Sequence, residues 1–154
     1  LLFGPLSDKY GRRKPLIVSM LLFVISTLLC IFSPSIECFV YLIESAKDGK
    51  RVLYLHDTEN DIDDSIDFIK GMHCDLVSFD CTCGNTFVQP GQRHMGLKND
   101  ILVRDKLIEK GVIDSSTVLI CNHICHHVGL YDDLSRIAMA EGFYLSYDGM
   151  TFTL

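Results

Sequence analysis

The sequence predicts an α/β fold preceded by one apolar helix. Short apolar runs alternate with amphipathic stretches from about residue 41 to residue 154, the pattern of strands connected by helices. Residues 16–32 contain no charged side chain. Two of the apolar runs, 51–55 and 118–122, lead directly into residues of the kind that ligate metals. These observations divide the chain into a head (residues 1–40) and a body (residues 41–154).

Composition limits the class of protein. At 154 residues the chain is long enough for one ordinary domain with its own core. Its 14 basic and 20 acidic side chains give a net charge of −6, which disfavours a nucleic-acid-binding surface. The charge is uneven, because four basic residues against one acidic residue give residues 1–14 a charge of +3. The seven cysteines lack the spacing of a disulfide framework, so we expect reduced thiols in the body.

The head combines a basic, glycine-containing loop over residues 4–15 with an apolar stretch over residues 16–32. As a helix this stretch would be roughly 26 Å long, the lower limit for crossing the apolar core of a bilayer. Pro15 suits the first helical turn and Pro34 suits the helix end. A buried helix of a soluble protein and a cleaved signal peptide are the alternatives, although no small-residue cleavage site follows clearly.

The head resembles a known family of membrane transporters. The run Gly-Pro-Leu-Ser-Asp-Lys-Tyr-Gly-Arg-Arg-Lys over residues 4–14 is similar to the cytoplasmic loop signature between the second and third helices of major facilitator superfamily transporters. The continuation to Glu37 resembles the drug-resistance branch of that family. The signature residues are Gly4, Asp8, Gly11, Arg12 and Arg13. The resemblance implies a transporter fragment, because one complete helix cannot supply the inverted repeats and midplane site of a working transporter.

The body begins with a predicted β-hairpin. Residues 42–45 and 51–55 form two strand-like runs joined by an Asp-Gly turn. An amphipathic helix over residues 61–70 follows, with Asp61 as its cap and Gly71 at its end.

Strands and helices continue to alternate after this helix. Residues 81–98 form a loop that is too long to be a simple connection. Asn99 is predicted to cap the helix that follows it. The remaining predicted elements are strands over 75–80 and 117–122, helices from Asn99 to Lys110 and over 132–141, and final strands over 143–146 and 151–154.

Polar side chains that follow two predicted strands form the candidate site. His56 and Asp57 follow the first strand, and His123 and His126 follow the second. Strand ends hold loops rigidly and are common places for metals and catalytic bases. A turn role for Asp57 and solvated loop roles for the histidines are the ordinary alternatives. Two strands with the same kind of ending favour one shared site.

The cysteines of the body offer a different interpretation. A Cys-x-Cys run at 81–83 and a second cysteine pair at 121 and 125 would together make a structural zinc site. Their spacing differs from the usual pairs separated by two residues, which weakens this alternative.

The body resembles the C-terminal half of a metallo-β-lactamase-fold hydrolase, closest to phosphoribosyl cyclic phosphodiesterases and their tRNase Z relatives. The resemblance rests on Leu-His-Asp-Thr at 55–58, Asp-Cys-Thr at 80–82, His-Met-Gly at 94–96, and Asn-His at 122–123 together with His126. The implied fold is half of an αββα sandwich. The implied cofactor is a pair of zinc or manganese ions, and the implied substrate is a small phosphodiester.

The resemblance assigns a role to each candidate residue. By this resemblance Asp57 bridges two divalent ions and His123 ligates one of them. His94 matches the residue that protonates the leaving oxygen. Asp80 orients its neighbours. The auxiliary residues are His56 and His126.

The body departs from this family in one respect. The family's first ligand motif, His-x-His-x-Asp-His, belongs to the N-terminal half of the fold, and no histidine precedes His56 here. Asp57 and His123 are two ligands, whereas a catalytic zinc normally has three from the protein. We therefore expect a fused or truncated product with an inactive hydrolase-like body. The alternatives are a transporter fragment and a non-functional fusion.

Location and association follow from the same division of the chain. The head would associate with a membrane through residues 16–32, and without insertion the chain would be cytoplasmic. Half of a sandwich leaves one sheet face without its partner, so we also expect self-association through that face.

Overall fold

The computed structural model describes residues 39–154, together with Ile17, Met20 and Leu21. The chain divides into two units, Leu1–Glu37 and Cys38–Leu154. In the first unit the three described residues are helical and exposed. The rest of the predicted helix over 16–32 and the basic loop before it lie outside the described residues. Within the described part of the chain, no helix is both long enough and apolar enough to cross a membrane.

Five strands form one mixed sheet in the second unit. Their order across the sheet is the order along the chain. The first pair is antiparallel, as the predicted hairpin requires, and each later pair is parallel. Parallel pairing brings the carboxyl ends of neighbouring strands to one edge of the sheet. The strands are β1 (Tyr41–Glu44), β2 (Arg51–Leu55), β3 (Leu76–Asp80), β4 (Val118–Asn122) and β5 (Tyr144–Leu145).

Three helices supply the apolar side chains that pack with the sheet in the core. They are α1 (Asp63–Phe68), α2 (Leu97–Glu109) and α3 (Tyr131–Ala140). Side chains alternate between the two faces of a strand, so every second residue of the central strands faces the helices. Phe79 and Phe143 meet edge to face in this core, with ring centroids 5.2 Å apart. The main core residues are Leu53, Leu55, Ile66, Val77, Phe79, Leu97, Val103, Leu107, Cys121, Leu134, Ala138, Phe143 and Leu145.

The opposite sheet face is only partly covered. Tyr41, Ile43 and Tyr144 are exposed on the outer strands, whereas Ser78 and Ile120 are buried at its centre. Tyr147, Asp148, Met150 and Phe152 line a cleft on this face, together with side chains of β3 and β4. The exposed apolar residues are those through which we predicted self-association, and that association stays a prediction.

Most predicted bounds shift by one or two residues, and three predicted features are wrong. Helix α1 begins at Asp63 after Ile62, so Asp61 does not cap it. Helix α2 begins at Leu97, and Asn99 lies in its first turn, where its side chain bonds the backbone N–H and C=O of Val88 at 2.8 and 2.9 Å. Residues 151–154 do not form a strand. Phe152 instead packs on the Tyr144 ring, with centroids 5.3 Å apart.

Candidate metal centre

Four predicted site residues converge at the carboxyl edge of the sheet. Asp57 follows β2, Asp80 ends β3, His123 follows β4, and His94 comes from the long loop before α2. Each contributes one possible ligand atom, and these four atoms lie within 4.8 Å of one another. Parallel strands in register explain the convergence, because Leu55 pairs with Phe79 and Asp80 pairs with Asn122.

Asp80 is the buried centre of this group. Its side chain is fully buried, and Oδ2 accepts the backbone N–H of Asp57 at 2.8 Å. Oδ1 accepts the backbone N–H groups of Thr82 at 3.0 Å and Met95 at 3.4 Å. Burial alone raises the pKa of the Asp80 carboxyl, but hydrogen bonds from His94 and Thr82 outweigh burial and hold that pKa below its ordinary value. Asp80 therefore stays ionised and fixes the three segments around it.

The two histidines contact both carboxylates. Nδ1 of His94 lies 3.0 Å from Oδ2 of Asp80 and 3.6 Å from Oδ1 of Asp57. His123 places Nδ1 3.4 Å from Oδ2 of Asp80 and Nε2 3.7 Å from Oδ1 of Asp57. Asp57 is the most exposed of the four, at 69% of its side chain, so its carboxylate faces solvent between the imidazoles.

The backbone of the site is in an uncommon conformation. Asp57, His94 and His123 have φ angles of 53°, 75° and 58°, and they are the non-glycine residues with positive φ in the described part of the chain. The left-handed region is unfavourable for residues with a Cβ, and such residues cluster at functional sites. Here the uncommon conformation coincides with three of the four residues that the sequence selected.

Thr82 is a site residue that the sequence analysis missed. Its Oγ1 lies 2.8 Å from both Nδ1 and the carbonyl oxygen of His123, and 3.4 Å from Nδ1 of His94. The hydroxyl therefore links the loop after β3 to the loop after β4. Its position two residues after Asp80, at a strand exit, was the available signal.

The two auxiliary histidines are not among the four converging residues, although His56 borders them. Nε2 of His56 is 2.8 Å from Oγ of Ser78, and its ring stacks on His123 with centroids 5.7 Å apart. Burial, together with the charge of His123, lowers the pKa of His56. His126 groups with Cys125 and His127 in a separate, mostly exposed cluster. The structure does not bring it to the four-residue group.

A second, fully buried group lies beneath the centre. Cys81, Asp100 and Cys121 place their ligand-type atoms within 4.8 Å of one another. Burial raises the pKa of Asp100 well above the ordinary range of a carboxyl group. The sequence alternative of a zinc site combined Cys81 and Cys83 with Cys121 and Cys125, and it did not include Asp100, which belongs to α2. Asp100 shares a helix face with Leu97, Val103 and Leu107, and a carboxylate in that apolar stripe was the available signal.

A cleft of about 440 Å³ adjoins the candidate centre at His123. Its polar lining includes Ser78, Asn122, His123 and Ser146. Oγ of Ser146 donates to Oδ1 of Asn122 at 2.8 Å, which fixes the amide at the mouth of the cleft. The cleft offers room for a small molecule beside His123.

Comparison with known proteins gives matches to transporters. Residues 1–53 match the family described as sugar (and other) transporter. The chain is 50% identical over 40 residues to the uncharacterized MFS-type transporter YdgK of Bacillus subtilis strain 168, which covers 26% of this chain and 10% of that protein. The chain thus spans about a tenth of the length of this curated relative.

These matches bear on the head and not on the candidate centre. The family match contains the loop signature residues of the head and ends at residue 53, before all four residues of the centre. It also extends beyond residue 40, where we placed the boundary, and enters the β1–β2 hairpin. The transporter interpretation is therefore better supported by the comparisons than the hydrolase resemblance.

Proposed function

We propose that the chain joins two unrelated parts: a head derived from a major facilitator transporter and a body that binds a divalent metal ion without hydrolysing phosphodiesters. The matches over residues 1–53 support the first part. The convergence of Asp57, Asp80, His94 and His123 supports the second. Left-handed backbone at three of these four residues is the observation that carries the metal-site proposal.

The donor set suits zinc or manganese. Imidazole nitrogen and carboxylate oxygen are ordinary ligands for both ions. Two ligand atoms that share an ion at about 2.1 Å each are at most about 4.2 Å apart. The 3.7 Å between Oδ1 of Asp57 and Nε2 of His123 fits this limit.

Asp80 serves better as a positioning residue than as a ligand. Both of its oxygens already accept hydrogen bonds from neighbouring backbone N–H groups. Asp57 and His123 would hold the ion, with His94 beside them through its contact to Asp57. The hydrolase resemblance gives His94 the role of proton donor to a leaving oxygen, a role that the inactive body proposed here does not use. Asp80 orients the His94 ring through Nδ1.

Binding and hydrolysis make different demands on this site. A bound divalent ion supplies positive charge that stabilises developing charge on a phosphoryl oxygen. Phosphodiester hydrolysis in the family that the body resembles requires two ions about 3.5–4 Å apart. The four side chains of this centre are too few to fix two ions at that distance, so we expect weak binding and no turnover.

Metal titration of the full chain tests this proposal. In detergent solution, manganese is expected to bind weakly, and Asp57→Ala and His123→Ala are each expected to weaken binding at least about tenfold. His73→Ala is the matched control, because His73 precedes β3 at the opposite end of the strand and is expected to leave binding unchanged. Calorimetry or manganese electron spin resonance measures the affinity.

The same variants test the absence of turnover. Hydrolysis of cyclic and aryl phosphodiesters with added zinc or manganese is expected to equal the background without protein. Equal metal affinity in all four proteins would contradict the metal site. Turnover that disappears in both Asp57→Ala and His123→Ala would contradict the inactive-body proposal and leave the hydrolase interpretation in place.

The head is tested by membrane association. Positive side chains over residues 9–14 favour a cytoplasmic position for that end of an inserted helix. The full chain is expected to sediment with membranes and to resist alkaline extraction. A charged residue near a helix centre costs about 2.5–3.5 kcal/mol on insertion, so Val24→Arg is expected to release much of the chain, whereas Val24→Leu is not. Equal release of both variants would contradict membrane insertion.

A further inference from the structure

We infer that Cys81, Asp100 and Cys121 form a second metal site, a buried structural site for a thiophilic divalent ion such as zinc. This site lies behind the sheet edge, on the helix-covered side of the fold. It is separate from the exposed metal centre and does not depend on the function proposed for that centre. Each element contributes one ligand: Cys81 follows β3, Cys121 belongs to β4, and Asp100 belongs to α2.

The spacing of the three ligand atoms suits one ion. All three atoms lie within 4.8 Å of one another, and the three residues have no exposed surface. Sγ of Cys121 is 3.6 Å from Oδ2 of Asp100. In a tetrahedral zinc site with bonds of about 2.3 Å to sulfur and 2.1 Å to oxygen, the sulfur and oxygen atoms are about 3.6 Å apart.

An unpartnered oxygen points independently to a ligand. Oδ1 of Asp100 has no hydrogen-bond partner, and within the described residues it is the one buried side-chain nitrogen or oxygen atom in that condition. Leaving a buried carboxyl oxygen without a partner is unfavourable, and buried polar atoms normally have one. The Cys121 thiol is a weak donor and is the partner of the other oxygen. A cation that bonds Oδ1 as well as Oδ2 of Asp100, together with the two sulfurs, would remove this deficit.

The positions of the cysteines favour metal binding over a disulfide. Cys121 pairs with Phe79, two residues before Cys81, so the two cysteines are diagonal rather than directly opposite. Both thiols are free in the structure, and residues that are not directly opposite each other are less suited to the narrow geometry of a disulfide. An ion with two sulfur ligands tolerates this diagonal arrangement because each thiolate bonds the metal and not the other sulfur.

Metal binding at this site has a defined proton balance. Each thiol and the carboxyl group of Asp100, whose pKa is raised by burial, lose a proton to solvent as their bonds to the metal form, and no electron is transferred. Two thiolates and one carboxylate favour zinc over magnesium or calcium, which prefer oxygen ligands. Because the site is completely buried, the ion would bind while the protein folds. The bound ion would connect the end of β3, strand β4 and helix α2.

Cobalt(II) is the probe that distinguishes this site from the exposed centre. We expect the full chain, refolded in detergent with cobalt(II) as the only metal, to retain one ion per chain after desalting and to show thiolate-to-cobalt charge-transfer absorption. Cys121→Ser is expected to lose this absorption. Asp100→Asn, which keeps the side-chain shape, is expected to retain the thiolate signal with a changed visible spectrum and to lose cobalt faster to a chelator.

Two controls assign the signal to this site. Cys125→Ser makes the same chemical change in the separate cluster of Cys125, His126 and His127 and is expected to leave the absorption unchanged. Asp57→Ala removes a ligand of the exposed centre and is also expected to leave it unchanged. Absence of thiolate absorption in the folded wild-type chain, or its loss in Cys125→Ser alone, would overturn the inference. Wild-type and Asp100→Asn spectra settle the question even if Cys121→Ser does not fold.

Discussion

Asp80→Ala is expected to lower the free energy of unfolding of the second unit by about 3–5 kcal/mol. The substitution removes a buried carboxylate whose two oxygens both accept hydrogen bonds. The backbone N–H groups of Asp57, Thr82 and Met95 would lose their acceptor, and so would His94. Urea unfolding followed by circular dichroism measures the change.

Two variants separate the charge of Asp80 from its place in the fold. Asp80→Asn keeps the side-chain shape and one carbonyl oxygen, so a smaller loss is expected. Asp105→Ala removes an exposed carboxylate that pairs with its neighbour Arg104, and a loss of at most about 1 kcal/mol is expected. Equal losses for Asp80→Ala and Asp105→Ala would contradict the central role of Asp80.

The ionisation of Asp80 is also expected to make the stability of the fold depend on pH. Because folding lowers the pKa of Asp80, its ionised form contributes stability at pH values above its unfolded pKa of about 3.9. That contribution is lost as the pH falls through the lower, folded pKa. The stability of wild-type protein should therefore fall more steeply below about pH 4 than the stability of Asp80→Asn.

Gly96→Ala is expected to cost about 3 kcal/mol and to weaken metal binding at the exposed centre. A Cβ at residue 96 would lie 2.4 Å from the carbonyl oxygen of Thr86 and 2.8 Å from that of Gly84. Both are backbone atoms, so a side-chain rotation cannot relieve the contact, and overpacking of this kind usually costs 1–3 kcal/mol or more. The shift would move His94, two residues away. Urea unfolding and manganese titration measure the two effects.

Gly91→Ala is the control for this substitution. Residue 91 lies in the same loop with a φ of 81°, and nothing lies within 4 Å of an added Cβ. Only backbone strain of about 1–2 kcal/mol is expected, without a change in manganese affinity. If both glycine variants weakened manganese binding equally, the close approach of residues 84, 86 and 96 would not be what positions His94.

The sequence predicted most of the sheet and most of the exposed centre. Apolar runs ending in polar residues predicted β2, β3 and β4, and parallel pairing of these strands places Asp57, Asp80 and His123 at one edge. The local sequence is informative here because the side chains of one strand alternate between the two faces of the sheet, and that alternation is visible within a few residues.

Tertiary contacts explain what the sequence did not predict. Asn99 is a good helix cap by residue type, but its amide holds the backbone of Val88 instead, so α2 begins two residues earlier. The composition of residues 151–154 predicted a strand. Phe152 instead packs its ring on Tyr144, and these residues do not pair with the sheet through backbone hydrogen bonds. The Thr82 bridge and the buried Asp100 depend on neighbours distant in sequence, which residue types alone do not specify.

The left-handed backbone at Asp57, His94 and His123 offers a way to test whether the centre is under selection. Each non-glycine residue in that conformation costs of order 1 kcal/mol that glycine would not cost. Where ligand chemistry has no value to the organism, drift toward glycine or asparagine at these three positions would stabilise the fold and meet no opposition. Related chains that keep aspartate and histidine there would therefore be paying a continuing cost in stability, and chains that have lost them would have abandoned the metal. The residues at these three positions distinguish a retained centre from a relic.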